Sequence, residues 1–316
     1  MKLFGKLALS ATILTSAMAI SGAAVAQGYP DRPIELIVTF GPGGGADLMG
    51  RTMAQLMEGP LGAPIPVSNV GGASGNAGLT QLRTNPADGY TMGTLISLTV
   101  ASWASGLGDN KPEDFEVIAV VQSSPSFLFV PSRGDHQTAE ALFEFAKANP
   151  GAITVATSGY GTQDDVTLKL LANAGIAMEN VPFQAPAERY ASPIGGHTSA
   201  IYEEPGDVAQ FIQAGQLTPV VVFAAERHPE FPDVPTSAEL GIDISGLDNY
   251  RSIAVAAGTP SDIVEKLAEA VATATASDEW RAFCTKTYSC ITPVTGEAAQ
   301  AMVSDFRDLI AAQLAN

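Results

Sequence analysis

The fold of this chain is decided by residues 34–57, IELIVTFGPGGGADLMGRTMAQLM. Branched and aromatic side chains dominate residues 34–40, and the run is too short for an ordinary helix, so it predicts a buried strand. From Leu48 to Leu56 the apolar residues recur at the spacing of one helix face. The stretch therefore predicts a strand, a glycine-rich loop and a helix.

The glycine-rich loop comes just before a helix N-terminus, where the first N–H groups lack helical partners and the helix dipole is positive. Glycines at 41 and 43–45 let a ligand approach this backbone closely. The loop is either an anion site or only a tight turn. A dinucleotide site requires an acid after the second strand, and residues 65–69 contain none. A P-loop is excluded because no Gly-Lys-Ser/Thr follows.

The N-terminus indicates export. Residues 1–26 combine two lysines, an apolar segment and a final Ala-Val-Ala, which is typical of a secretory signal peptide cleaved before Gln27. No cysteine follows the cleavage site, so no lipid anchor is predicted. No later apolar run is long enough for a membrane span. We therefore predict a soluble, exported protein.

The composition excludes several classes of protein and site. With 16 basic and 33 acidic residues the net charge is -17, which makes nucleic acid an unsuitable partner. An anionic ligand then has to be bound by local backbone dipoles and not by the overall field. The three histidines and two cysteines lack metal-ligand spacing, so no metal is predicted. In an exported chain Cys284 and Cys290 form either a disulfide or two buried thiols.

The opening pattern recurs along the chain. A strand at 66–69 leads into the glycine-rich residues 70–78 and a short helix, and a strand at 153–157 leads into SGYGT at 158–162 and a helix from Gln163. Alternating strands and helices predict parallel α/β sheets. Two strand-loop-helix units, one in each half, can face each other across a cleft.

The domain organisation follows from two breaks. The polar segment 122–126 marks a first crossover between domains, and the proline-rich residues 227–235 lie near a second. Lobe I is accordingly predicted at 27–123 and 225–316, and lobe II at 124–224.

Acidic residues occupy the first turns of two predicted helices. They are Asp47 in one half and Asp164 with Asp165 in the other. Such acids either stabilise the positive end of the helix dipole or contact a ligand.

Several short blocks occur in a definite order: YPDRPI at 29–34, FGPGGGAD at 40–47, GASGNAG at 72–78, ADGYT at 87–91, ANPG at 148–151, GTQDD at 161–165, GGH at 195–197, PDVPT at 232–236 and AGTP at 257–260. Together they resemble the exported substrate-binding receptors of tripartite tricarboxylate transporters, often called Bug-type receptors. The similarity covers nearly the whole mature chain.

The resemblance implies an α/β, two-lobed periplasmic-binding-protein fold, type II-like. Each lobe would be a mostly parallel sheet flanked by helices, with the ligand in the cleft and the two crossovers as a hinge. It also implies a monomeric periplasmic protein with no cofactor and no enzymatic activity. The ligand would be a small organic acid, whether a di- or tricarboxylate, an aromatic acid or an amino acid. The partners would be the large and small integral membrane subunits of the transporter.

The sequence departs from the family pattern at three places. The family often has Arg-Pro where this chain has Val70-Gly71, and a glycine pair where it has Ala185-Pro186. Related receptors carry small polar residues where this chain has Glu203-Glu204. These two acids are either solvated on a loop, or one faces the cleft. A carboxylate in the cleft would repel a polyanion such as citrate and favour an amino- or hydroxyl-bearing acid.

The predicted ligand site takes residues from both lobes. One ligand carboxylate is expected over the loops at 43–45 and around Gly75, bound by backbone N–H groups directly or through water. The second lobe would supply hydroxyl and amide donors and one wall. The candidate ligand-binding residues are Phe40, Pro42, Gly43, Gly44, Gly45, Asp47, Ser74, Gly75, Asn76, Ser97, Ser158, Gly159, Thr162, Gln163, Phe183, Gln184 and Glu204.

Two other functions compete with transport. An exported hydrolase would need a Gly-x-Ser-x-Gly elbow, a His-Glu-x-x-His pair or a Cys-x-x-Cys motif, and the sequence contains none of them. A ligand-sensing receptor for a signalling partner would use the same site, and the sequence does not separate it from a transport receptor.

Overall fold

The structure is a computed structural model that describes residues 28–315, so the predicted signal peptide lies outside the described residues. The strands are β1 (Glu35–Val38), β2 (Val67–Asn69), β3 (Thr91–Ile96), β4 (Phe115–Ser124), β5 (Phe127–Pro131), β6 (Thr154–Thr157), β7 (Glu179–Pro182), β8 (Ala200–Glu203), β9 (Leu217–Val222), β10 (Asn249–Ala256) and β11 (Cys290–Thr295).

Ten α-helices accompany these strands within the described residues. They are α1 (Gly45–Leu61), α2 (Asn76–Thr84), α3 (Ser97–Ala104), α4 (Ala139–Ala148), α5 (Gln163–Asn173), α6 (Pro186–Ile194), α7 (Ala209–Gln213), α8 (Ser261–Thr275), α9 (Asp278–Thr287) and α10 (Gly296–Ala315). Short 3-10 turns occur at Ala73–Gly75 and Pro112–Asp114. From residue 28 to residue 315, no helix is both long and apolar enough to cross a membrane.

The strands form two mixed sheets, one in each lobe. The first sheet has the order β11-β4-β10-β3-β1-β2, and the second has the order β7-β6-β8-β5-β9. In the first, β1 runs parallel to β2 and β3, while β10 and β11 are antiparallel to their neighbours. In the second, β6 runs parallel to β7 and β8, while β5 is antiparallel to β8 and β9.

The predicted parallel pairing is thus found in the half of each sheet that carries the glycine-rich loops. The chain passes from one sheet to the other between β4 and β5, and again between β9 and β10. Strands next to these passages return in the opposite direction, which makes the other half of each sheet antiparallel. The result is the two-lobed fold that the resemblance implies.

Helix α1 shows how the opening stretch folds. Met49, Met53 and Met57 are fully buried and pack in one cluster with residues of β1 and α8. Gly50 permits this packing, because a Cβ there would lie 2.8 Å from Cγ2 of Val38. Leu48 is 43% exposed, so the buried face is narrower than the apolar pattern predicts.

Three helices and one strand lack a clear local signal in the sequence. The residues of α3 from Ser97 to Trp103 are all buried, so the helix has no polar face and its sequence continues the apolar run of β3. In helix α6, Pro193 near the C-terminal end argues against a helix locally, whereas Pro186 occupies the first position, where proline is tolerated. The other two elements are α9 and β11, which are linked by a disulfide between Cys284 and Cys290.

Replacing both Cys284 and Cys290 with serine is expected to lower the free energy of unfolding by about 2 kcal/mol, because the bridge restricts the unfolded chain over a short loop. Urea denaturation of the oxidised protein and the double variant measures this loss. Reductant should destabilise the wild type and leave the variant unchanged. Two thiols that react with a labelling reagent in the untreated exported protein would contradict the bridge.

Candidate ligand-binding site

A cavity of about 310 Å³ lies between the two sheets. This is near the low end of the roughly 300–1,000 Å³ typical of small-molecule sites. Loops that follow β1, β2 and β3 line one side, and loops that follow β6, β7 and β8 line the other. The lining residues are Phe40, Gly41, Gly44, Gly45, Ala46, Gly71, Gly72, Ser74, Gly75, Ile96, Leu98, Ser158, Phe183, Gln184, Pro186, Arg189, Glu203, Glu204, Asp207, Asn249 and Arg251.

Two helices point uncapped N-termini at this cavity. Helix α1 starts after Gly44 and helix α2 after Gly75, and neither of these residues has a side chain to accept from the first N–H groups. The backbone at Gly75 is left-handed, with φ of 88°, and a Cβ there would lie 2.3 Å from Oγ1 of Thr99. Glycine is therefore required at this position by both conformation and space.

At the start of α2 the N–H groups of Gly75 and Ala77 donate to the carbonyl of Gly72, and that of Asn76 donates to the carbonyl of Ala73. The helix whose first N–H groups can bind a ligand is therefore α1.

Asp47 fixes the first glycine loop. Its Oδ2 accepts a hydrogen bond from the backbone N–H of Gly43 at 2.9 Å, and its Oδ1 accepts from Arg51 at 2.9 Å and from Asn69 at 2.8 Å. Burial raises the pKa of Asp47, but these three hydrogen bonds outweigh burial and keep the pKa below its usual range. The acid stabilises the loop and is not free for a ligand.

The second lobe contains the same set of contacts. Asp165 accepts from the N–H of Gly161 at 2.8 Å, from Asn180 at 2.7 Å and from Lys169, with Nζ 2.7 Å away. Each loop is thus fixed by an acid four residues later, a cation a further four residues on, and an asparagine from the next strand. Asp164 adds hydrogen bonds from the N–H and Oγ of Ser158, at 2.7 and 2.6 Å. All three acids lie in the first turn of a helix and accept hydrogen bonds from the loop before it, so they hold the loops in place and do not contact a ligand through these oxygens.

The predicted site residues fall into two groups. Those on the cavity wall are Phe40, Gly44, Gly45, Ser74, Gly75, Ser158, Phe183, Gln184 and Glu204. Those outside its lining are Pro42, Gly43, Asp47, Asn76, Ser97, Gly159, Thr162 and Gln163.

Several residues outside the lining use their polar groups inside the protein. Asn76 accepts from Nε1 of Trp103 at 2.7 Å, and Ser97 Oγ donates to Oδ1 of Asn249 at 3.2 Å. Thr162 donates to the carbonyl of Gly159 at 2.7 Å.

Gln163 bonds to both passages between the sheets. Its Nε2 donates to Oγ of Ser126 at 3.3 Å and to the carbonyl of Leu247. The side chain thereby connects the N-terminus of α5 to the two segments that join the lobes.

The far wall of the cavity is charged. Glu203 and Glu204 are 5% and 3% exposed, so the alternative of two solvated acids is wrong. Arg189 donates from Nε and Nη2 to Oε2 of Glu203, at 2.9 and 2.6 Å. Arg251 donates from Nη2 to Oε2 of Glu204 at 3.1 Å and to Oδ2 of Asp207 at 2.6 Å.

The Arg251 pairs join the two lobes. Arg251 belongs to β10 in the first sheet, whereas Glu204 and Asp207 follow β8 in the second. This cluster lies directly against the start of α1, because a Cβ on Gly45 would lie 2.2 Å from Oδ1 of Asp207. Only glycine permits so close an approach.

The lobes also touch beside the cavity. Oγ of Ser105 donates to the carbonyl of Gly161 at 2.9 Å, and Oγ of Ser74 donates to the carbonyl of Tyr160 at 3.3 Å. A Cβ on Gly44 would lie 2.9 Å from Cγ of Pro186, which belongs to the opposite lobe. The structure is therefore a closed arrangement of the lobes.

Sequence reasoning missed Arg189, Asp207 and Arg251. The residues 249–256 form a buried strand in which Arg251 is the sole charge, and a lone charge in such a run was the available signal. Arg189 is 7% exposed in α6, a helix that was itself not predicted. The expectation that backbone dipoles alone meet an anion is thus incomplete, since two paired guanidiniums line the same cavity.

The charged wall contains three carboxyl groups and only two guanidinium groups. This imbalance changes the pKa values of the carboxyl groups. Burial raises the pKa of Glu203 well above its usual range, Arg189 opposes this shift, and the neighbouring Glu204 and Asp207 add to it. Burial likewise raises the pKa of Glu204, against the effect of Arg251. A carboxyl with a raised pKa in the folded state binds its proton more tightly there than in the unfolded chain.

The free energy of unfolding should therefore fall as pH rises from about 4.3, the ordinary pKa of glutamate, to the raised pKa that Glu203 has in the folded protein. We compare wild type with Glu203→Gln, whose side chain does not titrate. The wild-type free energy of unfolding, relative to that of the variant, is expected to drop by up to about 1.4 kcal/mol per pH unit in this range. Urea denaturation of both proteins from pH 4 to 8 measures this drop. If the wild type and the variant differ in free energy of unfolding by the same amount at every pH, the raised pKa is contradicted.

Comparison with known proteins identifies the family. A family model described as "Tripartite tricarboxylate transporter family receptor" matches residues 49–309. The chain belongs to this family. Its members are solute-binding receptors and not enzymes, in agreement with the resemblance seen in the sequence.

Individual relatives agree with this family. The receptor is 30% identical to Protein BugT of Bordetella pertussis over 259 residues, covering 80% of this chain and 79% of that protein. It is 28% identical to a UPF0065 protein of Cupriavidus necator over 263 residues, which covers 83% and 80% of the two chains.

Solved structures share the fold. The periplasmic binding protein BugD superposes with a TM-score of 0.82 at 25% identity, covering 91% of this chain and 98% of that one. MatC from Rhodopseudomonas palustris with bound malate has a TM-score of 0.80 at 22% identity, covering 89% of this receptor and 100% of MatC. A further Rhodopseudomonas palustris protein, with adipate, has a TM-score of 0.79 at 23% identity, covering 91% and 95%.

Proposed function

We propose that this receptor binds a small organic acid in the 310 Å³ cavity, in the periplasm, and delivers it to the large and small membrane subunits of its transporter. The observation that carries the proposal is the N-terminus of α1, which has no side-chain cap and faces the cavity through Gly44, Gly45 and Ala46. Backbone N–H groups at such ends lack helical partners and are suited to a carboxylate.

The energetics fit a receptor. Each hydrogen bond to a charged group contributes about 1.5–3 kcal/mol, and a helix N-terminus adds about 0.3–2 kcal/mol. A few such contacts are sufficient for micromolar affinity, about -8 kcal/mol, after the cost of association. The solved relatives with malate and adipate, both small dicarboxylates, support a ligand of this size and class.

The two lobes would open and close about the passages between the sheets. We assign 27–123 with 225–316 to lobe I and 124–224 to lobe II, and the receptor acts as a monomer. Phe183 and Gln184 from lobe II line the cavity opposite the loops of lobe I. Because a ligand touches both sets only when the lobes are closed, binding shifts the population toward the closed form.

A thermal-shift screen tests the proposal. The mature protein is heated with mono-, di- and tricarboxylates, aromatic acids and amino acids, with neutral sugars and simple amines as controls. An acid present at 100 times its dissociation constant adds about 2.7 kcal/mol to the free energy of unfolding and raises the melting temperature. If no acid raises it, the proposed function is wrong.

A further inference from the structure

The charged wall of the cavity indicates the class of acid, an inference that rests on the proposed function. We propose that the receptor selects an α-amino acid, with its carboxylate at the N-terminus of α1 and its ammonium group against Glu203, Glu204 and Asp207. These three residues are called the acidic wall below.

The charge balance of the lining favours a ligand that brings a positive charge. The acidic wall supplies three carboxylates, whose ligand atoms lie within 4.8 Å of one another, and Arg189 and Arg251 supply two guanidiniums. The lining contains no other ionisable side chain, so its formal charge is -1 when all three carboxyls are ionised and 0 when Glu203 carries a proton. A second ligand carboxylate would be repelled here, whereas an ammonium group would be attracted. The raised pKa values of Glu203 and Glu204 are consistent with a shortage of positive charge.

The acidic wall also retains acceptor capacity. Oδ2 of Asp207 accepts from Arg251, but the contacts found among residues 28–315 give its Oδ1 no hydrogen bond. Oε1 of Glu203 has only a long contact, 3.4 Å, to the backbone N–H of Glu204. An ammonium group carries three donors and can use such acceptors together.

The separation between the two subsites suits an α-amino acid. Oδ1 of Asp207 lies 2.2 Å from the place where a Cβ on Gly45 would be, so the acidic wall begins next to the first residue of α1. In an α-amino acid the carboxylate and the ammonium group are on the same carbon.

A divalent cation is the competing occupant of the acidic wall, since carboxylate oxygens are ligands that calcium and magnesium prefer. Here Arg189 already takes one oxygen of Glu203, and Arg251 takes one oxygen each from Glu204 and Asp207. The guanidiniums therefore occupy oxygens that a metal cation would need. Binding of calcium or magnesium is accordingly treated as one of the outcomes of the test below.

The test compares each of the twenty amino acids with the matching acid that lacks the α-amino group, using titration calorimetry on the mature protein. We expect at least one amino acid to bind tenfold or more tightly than its deaminated counterpart. For that pair, Asp207→Asn should reduce the preference to less than threefold, because the variant binds the amino acid more weakly and the deaminated acid more tightly than the wild type does. The matched control is Asp233→Asn, an exposed acid outside the lining, which should keep the tenfold preference.

The other outcomes separate this inference from the proposed function. If deaminated acids bind as tightly as the amino acids throughout, the inference is overturned and the proposed function stands. If no acid of either set binds, both fail. If calcium or magnesium chloride alone raises the melting temperature of wild type but not of Asp207→Asn, the acidic wall is a cation site and the inference is overturned.

Discussion

Gly44→Val is expected to lower the affinity for the best acid about 100-fold, which corresponds to about 2.7 kcal/mol. The backbone at Gly44, with φ of -87° and ψ of 171°, is open to any residue, so the substitution adds no backbone strain. Its Cβ would lie 2.9 Å from Cγ of Pro186 in the opposite lobe. A valine there obstructs closure and covers the N–H groups of α1. Titration calorimetry measures the loss.

The matched control is Gly59→Val in the same helix, where a Cβ meets no atom within 4 Å. This variant should bind the acid with wild-type affinity. Gly43 is unsuitable as a probe, because its φ of 81° would make any loss of binding a consequence of backbone strain. Undiminished affinity in Gly44→Val would remove the α1 loop from the site.

Arg251→Met is expected to lower the free energy of unfolding by about 3–5 kcal/mol, because it leaves buried carboxylates without their cation. Both Glu204 and Asp207 depend on this guanidinium, and its own side chain is 5% exposed. Urea denaturation at pH 7 measures the change. Adding Asp207→Asn to the Arg251→Met variant should recover part of the loss, since one uncompensated charge is then removed.

The comparison variant for Arg251 is Arg227→Met. Arg227 pairs with Glu239 at 2.9 Å, but these side chains are 44% and 45% exposed. Exposed pairs contribute about 0–1 kcal/mol, so this variant should lose no more than that. An equal, small loss in both variants would show that the interlobe pair does not stabilise the folded protein.

The parts of the fold that could be predicted from the sequence have local signals. The run from Ile34, the glycines after it and the periodic residues of α1 each specify their own conformation, and the same holds around β6 and α5. Helix α3 has no such signal, because its buried sequence lacks a polar face. The proline at the first position of α6 is compatible with a helix start, but the residues after it are too few to reveal a period.

The candidate site divides in the same way. Backbone donors at a helix N-terminus follow from a glycine loop and the helix after it, so Gly44, Gly45 and Gly75 could be found locally. The charged wall could not, because Arg189, Asp207 and Arg251 come from distant parts of the chain and meet only when both sheets are in place. For the same reason, whether Glu204 is solvated or buried depends on its partner in β10.

The binding site is tested most directly by a crystal structure of the receptor with the tightest acid from the thermal-shift screen. We predict that the acid lies between the lobes, with carboxylate oxygens about 2.7–3.2 Å from backbone nitrogens at the start of α1, or joined to them by a single water. An acid bound outside this cavity, or a carboxylate turned away from the N-terminus of α1, would contradict the proposed function.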